Sequence, residues 1–549
     1  MSTLGTTTMF KFERIFRNGN MKKHFLTIIA VIICCEGKSD DGLRNPVTSI
    51  TSSWENYVGH CGYNNQNVNY KWRRFVRYGN FDPTTEKGYS TVKAILSGNH
   101  LMFADGLYPG QNAIGVDHAD VKDNALATFL NLVEASSGDY VRNSVRSRLQ
   151  KLVEARREAG STYTIYWQLG NEINNTIFVT AYQRWAADYG KPYPHPDAAS
   201  GDGLGNGGET GVDNVVTSTD TGYIPYMLEY YAGPAIEAVN EINAALPADQ
   251  KIVLMGGSLA NSRNRNNRAW MQLMTEYQFR GAYAPSLAGK YLYQVIDGIT
   301  HHYLFAEYRL SSDPVNNGLN RHQVLDDMMR KFVNNGKEGN RIRYIFTTEE
   351  IGNKSSQSGR AAYQSAIICF SYLDYCLERG FPAEKFRFAF YGPEATTKGS
   401  NRNFVSAAYS MDRLAELIPN RVLSRLPDAF VDGNNPSLEK YAFTTDRGEI
   451  LLAIHTPNPA NVPAPAPQSF ASVRINIPAG ASYVFEPKNC HLFTIDEYLT
   501  PNVTIIPQGD NILELTVGDS YNHTNNSLAV ENGRLTKFNG TLVILLKKN

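Results

Sequence analysis

From about residue 70 to residue 425 the chain alternates short apolar runs with longer stretches whose apolar residues recur at helical spacing. Thr164–Trp167 (TIYW), Ile252–Met255 (IVLM), Tyr344–Phe346 (YIF) and Phe386–Phe390 (FRFAF) are short, apolar and bounded by polar residues, and predict buried strands. Val141–Arg157 carries apolar side chains at 141, 145, 149, 152 and 153, and Met227–Leu246 and Ala361–Arg379 share that period, so all three predict amphipathic helices. Strand–helix alternation sustained this long predicts an α/β architecture with parallel strands, either a barrel or a doubly wound sheet. No glycine-rich phosphate loop stands at a strand–helix junction, so a nucleotide site has no support. Beyond about residue 430 the helical period stops. Ala442–Ile454, Val473–Ile477, Tyr483–Phe485, Ile512–Val517 and Leu542–Leu546 read as strands separated by proline- and glycine-rich turns, which predicts a β-sandwich.

Composition narrows the function classes. With 42% hydrophobic and 19% charged residues the chain is globular, which excludes wholesale disorder. Lys+Arg and Asp+Glu both number 53, so no global basic field gathers nucleic acid. That balance includes an N-terminal segment with its own character. Met21–His24 is basic, and Phe25–Cys35 (FLTIIAVIICC) is an uncharged run too short to span a membrane. The run ends in two cysteines followed by the acidic Glu36–Asp41. It resembles a bacterial lipoprotein signal, in which a cysteine becomes the lipidated first residue; Cys35, preceded by Cys34, fits better than Cys34, preceded by Ile33. The acidic run resembles the surface-export signal of Bacteroidetes lipoproteins. On this reading Met21 is the start, and residues 1–35 are an extension and signal. The mature protein sits on the outer membrane or cell surface through a lipid anchor, with the periplasm as the other compartment open to it. Loss of residues 1–34 removes five basic residues and one acid, leaving 48 and 52, a net charge of −4. Cys61, Cys369, Cys376 and Cys490 show no zinc-ligand spacing and read as buried or semi-buried thiols. Cys369 and Cys376 lie two helical turns apart, about 10 Å, too far to bridge, while one long-range disulfide stays open.

Three segments place chemistry at predicted strand ends. Gly170-Asn171-Glu172 follows the strand containing Tyr166 and Trp167 and puts a carboxylate on a rigid base, although an N-cap Asn and a first-turn Glu explain the same residues structurally. Asp297–Tyr303 (DGITHHY) ends in a His-Tyr pair that either lines a cleft or packs in a core. Arg343–Gly352 (RYIFTTEEIG) ends in Glu349 and Glu350; adjacent strand residues face opposite sides, so one of the two is expected to face a site. The long segment 189–224, rich in Gly, Asp, Asn and Thr, reads as a functional or disordered loop. Its Asp202, Asn206, Glu209 and Asp213 match no calcium-loop spacing.

Together these segments resemble the clan A retaining glycoside hydrolases with a (β/α)8 barrel, in the form found in arabinofuranosidase and β-xylosidase families. Asn171-Glu172 matches the strand-4 end, Asp297–Tyr303 the strand-6 form and Glu350-Ile351-Gly352 the strand-7 end. Val253–Ser258 resembles the strand-5 end, Phe75–Gly79 an early strand and Phe388–Gly392 strand 8, where Tyr391 stands in place of the clan's usual Trp. The resemblance covers about residues 45–425. It implies Glu172 as acid/base and Glu350, in preference to Glu349, as nucleophile. It further implies Asn171 on the sugar 2-hydroxyl, Arg77 supporting the nucleophile, and His302, Tyr303 and Tyr391 along the adjoining subsite. No cofactor and no metal are implied.

The expected architecture is therefore α/β. A (β/α)8 TIM barrel over 36–428, carrying the loop 189–224, is followed by an all-β sandwich over 429–549. The expected function is cleavage of a plant or algal polysaccharide or oligosaccharide by double displacement, with no nucleic-acid partner and an oligomeric state the sequence does not address. A non-catalytic surface glycan-binding lipoprotein on the same scaffold is the alternative from another class. An inverting enzyme using the same two glutamates is a further one. Because the loop 189–224 follows strand 4, it is expected on the catalytic face. Deleting 195–220 should change the ratio of polymer to small-glycoside cleavage rates, and an unchanged ratio removes the loop from substrate selection.

Overall fold

The computed structural model describes residues 48–61, 71–76, 82–105, 119–171, 173, 223–259, 265–302, 321–350, 360–381, 385–391, 407–427, 431–433, 438–456, 468–469, 473–475, 483–494, 498–508, 510–516, 528–532, 534–538 and 540–549. The lipoprotein signal with Cys34 and Cys35, Arg77, Glu172, Tyr303 and nearly all of the 189–224 loop lie outside them. At Glu349, Glu350 and Tyr391 the description is of the backbone. Among the described residues no helix is long and apolar enough to cross a membrane.

Residues Arg44–Asn549 form one compact unit. Its first part is a closed barrel of parallel strands in chain order: β1 (Val58–Cys61), β2 (Trp72–Val76), β3 (His100–Asp105), β4 (Ile165–Leu169), β5 (Val253–Leu259), β6 (Gly298–His302), β7 (Tyr344–Glu350) and β8 (Phe386–Tyr391). Closure comes from β1 against β8, with Val58 opposite Phe388 and Cys61 opposite Tyr391. Of the two parallel arrangements left open by the alternating pattern, the chain adopts the barrel. The runs β1 and β3 did not stand out in sequence, although the LMFA of β3 is apolar and every residue after His100 is buried.

Helices α1 (Glu86–Leu96), α2 (Ala119–Ala135), α3 (Asp139–Glu158), α4 (Gly233–Ala244), α5 (Arg265–Thr275), α6 (Arg321–Met328), α7 (Arg360–Arg379) and α8 (Ala407–Leu417) accompany the strands. Local chemistry sets their ends. The Thr85 hydroxyl accepts the Gly88 N–H at 3.1 Å to cap α1. In α3, Asp139 opens the first turn and Arg156 and Arg157 close the last, in accord with the helix dipole. Val141, Val145, Leu149 and Leu152 form its buried stripe; Ala155 completes it, while Val153 stays half-buried. The predicted helix at 227–246 begins instead as a π-helical stretch, Met227–Ala232, that leads into α4.

Inside the barrel Trp72, Met102, Tyr166, Met255, Phe346 and Ala389 form one layer drawn from six strands. This is how a barrel core fills: alternate strand residues point inward, and large and small side chains interdigitate.

The C-terminal part is all-β, in two antiparallel seven-stranded sheets among the described residues. One runs Tyr498–Leu499, Cys490–Thr494, Gly540–Lys548, Ile450–His455, Glu439–Thr445, Leu423–Arg425, with Tyr483–Val484 beside Gly540–Lys548. The other contains Val431–Gly433, Val473–Ile475, Asp510–Thr516, Arg534–Phe538 and Gln468–Ser469, flanked by Asn502–Gln508 and Leu528–Glu531. Leu452, Leu492 and Ile544 from the first pack with Val503, Leu535 and Phe538 from the second in a single core, which makes the pair a sandwich. The run read as one strand, Ala442–Ile454, is a hairpin. Glu439–Thr445 and Ile450–His455 pair antiparallel around a turn in which Gly448 takes φ +76°, a conformation only glycine adopts without strain. Cys369, Cys376 and Cys490 are buried thiols outside any disulfide, and burial pushes the Cys369 and Cys490 thiols up.

The outer face of the first sheet meets α7, with the rings of Phe370 and Phe443 at 5.9 Å. Polar contacts stitch this seam. Arg425 Nε donates to Asp374 Oδ1 at 2.7 Å, and His322 Nδ1 on α6 lies 3.7 Å from Glu378 Oε2. The His322 imidazole, aided by Arg379 and Arg425, brings the Glu378 carboxyl down to about 2 against the opposing effect of burial. An unfolded Glu titrates near 4.5. The ionised carboxylate therefore favours the fold fully above about pH 4.5, and that contribution disappears as pH falls towards 2. Glu378→Gln should flatten the decline of the thermal midpoint between pH 5 and pH 3 relative to wild type. An identical pH profile would show that this seam carries no linked stability.

Candidate active site

The barrel directs the predicted site segments to one end, since each follows or finishes the C-terminal end of a parallel strand. In α/β barrels that is the face on which loops assemble chemistry. Asn171 follows β4, Ser258 lies near the end of β5, His302 ends β6, Glu349 and Glu350 end β7, and Tyr391 ends β8. Backbone pairing makes the last three strands neighbours there, with His302 opposite Glu349 and Glu350 opposite Phe390.

The exit from β4 is built tightly. Gly170 turns the chain at φ +81°, and its carbonyl accepts Gln168 Nε2–H at 2.7 Å. Ser258 N–H then donates to the Gly170 carbonyl at 3.4 Å, and Ile173 N–H donates to the Ser258 carbonyl at 3.1 Å. Asn171 is thus held between anchored residues, and Ile173 is fully buried. The approach of β5 to this turn needs Gly257: a Cβ there would lie 2.3 Å from the Leu169 carbonyl oxygen and 2.6 Å from Ile173 Cδ1.

Two bulges reshape the rim. Between β5 and β6, Met255 pairs with Gly298 but Ser258 with Thr300, so Gly256 and Gly257 together stand against Ile299 and one extra residue is accommodated. Thr300 Oγ1–H donates to the Gly256 carbonyl at 2.9 Å, satisfying an acceptor inside the bulge. On β7, Thr347 faces His301 while Glu349 faces His302, which leaves Thr348 as the additional residue. Strict alternation consequently does not run through to Glu349 and Glu350, and the preference for Glu350 rests on the family form of the strand-7 end.

The two histidines part at β6. His301 Nε2 lies 3.0 Å from Thr347 Oγ1, which in turn is 3.3 Å from the Tyr372 hydroxyl on α7, so His301 belongs to the helix-facing side. Burial, then the charges of His302 and Arg268, hold its pKa near 3, and it stays neutral. His302 is on the opposite face of the strand. Its ring is fully buried, and its Nε2 lies 2.6 Å from Ser258 Oγ, which also lies 3.0 Å from Thr348 Oγ1. Ser258 and Thr348 were not singled out in sequence. The only trace was the position of Ser258 after a glycine pair at a strand end, and their convergence on His302 needs the two bulges.

Among the described residues one cluster has metal-ligand character, His322, Asp374 and Glu378, with ligand atoms within 4.8 Å of one another. It lies at the seam of α6 and α7 with the sandwich, away from the strand ends, and Arg425 already supplies cationic charge to Asp374.

No protein-family model matches the chain, and no curated protein matches it in sequence. Its structure is similar to several solved ones. A family 51 arabinofuranosidase from Xanthomonas axonopodis pv. citri is 13% identical with a TM-score of 0.36, over 92% of this chain and 99% of that one. An endo-β1,6-glucanase is 9% identical at 0.37, over 92% and 94%. A conserved exported protein from Bacteroides fragilis is 10% identical at 0.40, over 91% and 98%. What this chain does has to rest on its own residues.

Gly257→Ala should force β5 away from the β4 turn and destabilise the protein by about 1–3 kcal/mol, read as a lower midpoint in urea. Gly98→Ala, where a Cβ meets nothing within 4 Å, is the control and should be near neutral. Equal stability of the two variants would show that the rim has slack.

Proposed function

We propose that the chain is an exported, lipid-anchored retaining glycoside hydrolase acting on a plant or algal polysaccharide or its oligosaccharides, with Glu172 as acid/base and Glu350 as nucleophile. The observation that carries the reading is topological. Asn171, next to Glu172 in sequence, follows strand 4, and Glu350 ends strand 7, at the same C-terminal end of a closed parallel barrel, with the buried His302 on the strand next to β7.

The chemistry asks for two carboxyl groups about 5–5.5 Å apart. In the first step Glu172 gives its proton to the glycosidic oxygen while the Glu350 carboxylate attacks the anomeric carbon. The leaving sugar departs as an alcohol and a glycosyl ester forms on Glu350. In the second step Glu172, now ionised, takes a proton from water, whose oxygen displaces Glu350 and restores the starting enzyme. Two inversions at one carbon give net retention. Asn171 would hydrogen-bond the sugar 2-hydroxyl, Arg77 would favour the ionised Glu350, and Tyr303 and Tyr391 would flank the sugar beside the scissile bond. The imidazole of His302, fixed through Nε2 by Ser258, suits a rigid subsite wall. No organic cofactor or metal enters these steps.

A screen of the purified mature protein on plant and algal polysaccharides, with product sizing, identifies the substrate. On that substrate Glu350→Ala should abolish turnover, Glu172→Gln should lower it by about 10²–10⁴-fold, and the first product seen by proton NMR should keep its anomeric configuration. An inverted product makes it an inverting enzyme. Glycan binding without cleavage, or cleavage unchanged in Glu350→Ala, makes it a binding protein or moves the nucleophile elsewhere.

A further inference from the structure

The sugar chemistry makes no use of the His322, Asp374 and Glu378 cluster, where α6 and α7 meet the sandwich. His322 is the second residue of α6. Asp374 and Glu378 stand four residues apart on α7, so the two carboxylates share one face of that helix. One ligand atom from each of the three side chains lies within 4.8 Å of the others. His322 and Asp374 are buried and Glu378 is half-buried, so the cluster opens to solvent on one side.

The three side chains are held as metal ligands are. His322 Nε2 lies 3.2 Å from Ser371 Oγ, and the ring meets that of Tyr375 edge-on at 5.3 Å. Its Nδ1 then faces Glu378 Oε2 at 3.7 Å. In the tautomer that donates Nε2–H to Ser371, Nδ1 carries the lone pair. Arg425 Nε donates to Asp374 Oδ1 at 2.7 Å. Ligating imidazoles and carboxylates carry outer hydrogen bonds of this kind, which fix their orientation. The 3.7 Å between His322 and Glu378 exceeds a charge-assisted hydrogen bond. Two donors so placed can both reach one ion at about 2.0–2.2 Å.

The local charge favours a cation. Arg425 offsets one of the two carboxylates. Arg379 is matched by Asp326, through Nε at 3.1 Å and Nη2 at 2.8 Å. Among the described residues the His322 imidazole is the only group within ion-pair distance of Glu378. With that ring neutral, Asp374, Glu378 and Arg425 together keep one negative charge.

The geometry points to a site for one divalent transition-metal ion of the zinc class at this seam, with His322 Nδ1 and carboxylate oxygens of Asp374 and Glu378 as ligands and water completing the shell. Imidazole and carboxylate are ligand types that such an ion takes. The ion sits between His322 and Glu378, which face each other directly without it, and through Arg425 it also ties the first sheet to α6 and α7. Only the folded chain brings α6 against α7, so occupancy adds to stability by mass action and has no need of a bound glycan.

The test uses the mature protein, stripped with EDTA and then dialysed free of chelator. Zinc chloride is titrated in by calorimetry, and the thermal midpoint is recorded over the same range. Wild type should bind one zinc ion, with a saturable rise in midpoint. Glu378→Gln, of the same shape, should bind it at least about tenfold more weakly, and His322→Ala should lose both the binding and the rise. A wild type that takes up no zinc leaves a plain His322–Glu378 contact and overturns the proposal. Wild-type affinity retained in Glu378→Gln and His322→Ala places the ion elsewhere and also overturns it. Should both variants fail to fold, zinc-soaked crystals of wild type decide the matter: an anomalous peak between His322 and Glu378 upholds the site, and a map without one overturns it.

Discussion

Everything in this protein depends on the closure of eight parallel strands by the pairing of β1 with β8. A parallel barrel has no free edge and no solvent-facing side. Each strand is covered inside by the other strands and outside by helices, so nearly every polar group on it must find a partner within the protein. That requirement explains the density of internal hydrogen bonds at the rim. Ser258, Thr300, His301, His302, Thr347 and Thr348 are all fully buried, and each is held by a neighbouring strand or by α7. These polar residues are tolerated inside the barrel because neighbouring strands and α7 place their partners beside them.

The bulges on β5 and β7 do a second thing. They break the two-residue alternation where the barrel hands over to its loops. Regular alternation serves a core, as in the layer of Trp72, Met102, Tyr166, Met255, Phe346 and Ala389. A site needs side chains gathered from several strands on one side, and local irregularity at the strand ends supplies that. The glycine pair at 256–257 is the clearest instance: it lets one strand bulge and also lets the turn after β4 sit against it.

The sandwich meets the helices around the barrel at α7 and also at α8, where the Tyr409 and Tyr498 rings lie 5.3 Å apart. α7 carries Phe370 and Asp374 against the first sheet and Tyr372 against β8, so it couples the outer surface of the barrel to a domain whose own core is separate. Its two buried cysteines, Cys369 and Cys376, belong to this packing, and burial pushes the Cys369 thiol up.

Periodicity alone was enough to separate an α/β region from an all-β one, because the spacing of apolar residues reports which faces an element buries, and that is a local property. The same locality makes the strand-end motifs legible: Asn171-Glu172, His302 and Glu350 each follow an apolar run. Barrel against doubly wound sheet was legible only through the strand-end motifs and the family form they resemble, not through periodicity, since the two differ in whether the last strand meets the first, a contact between Val58 and Phe388 that no window of sequence contains. The hairpin inside 442–454 was missed because a short polar turn hardly interrupts the apolar count, although Gly448 marked it. The Ser258–His302–Thr348 network was decided by tertiary structure alone. It depends on strands far apart in sequence standing side by side, and on the bulges that set which side chains share the interior.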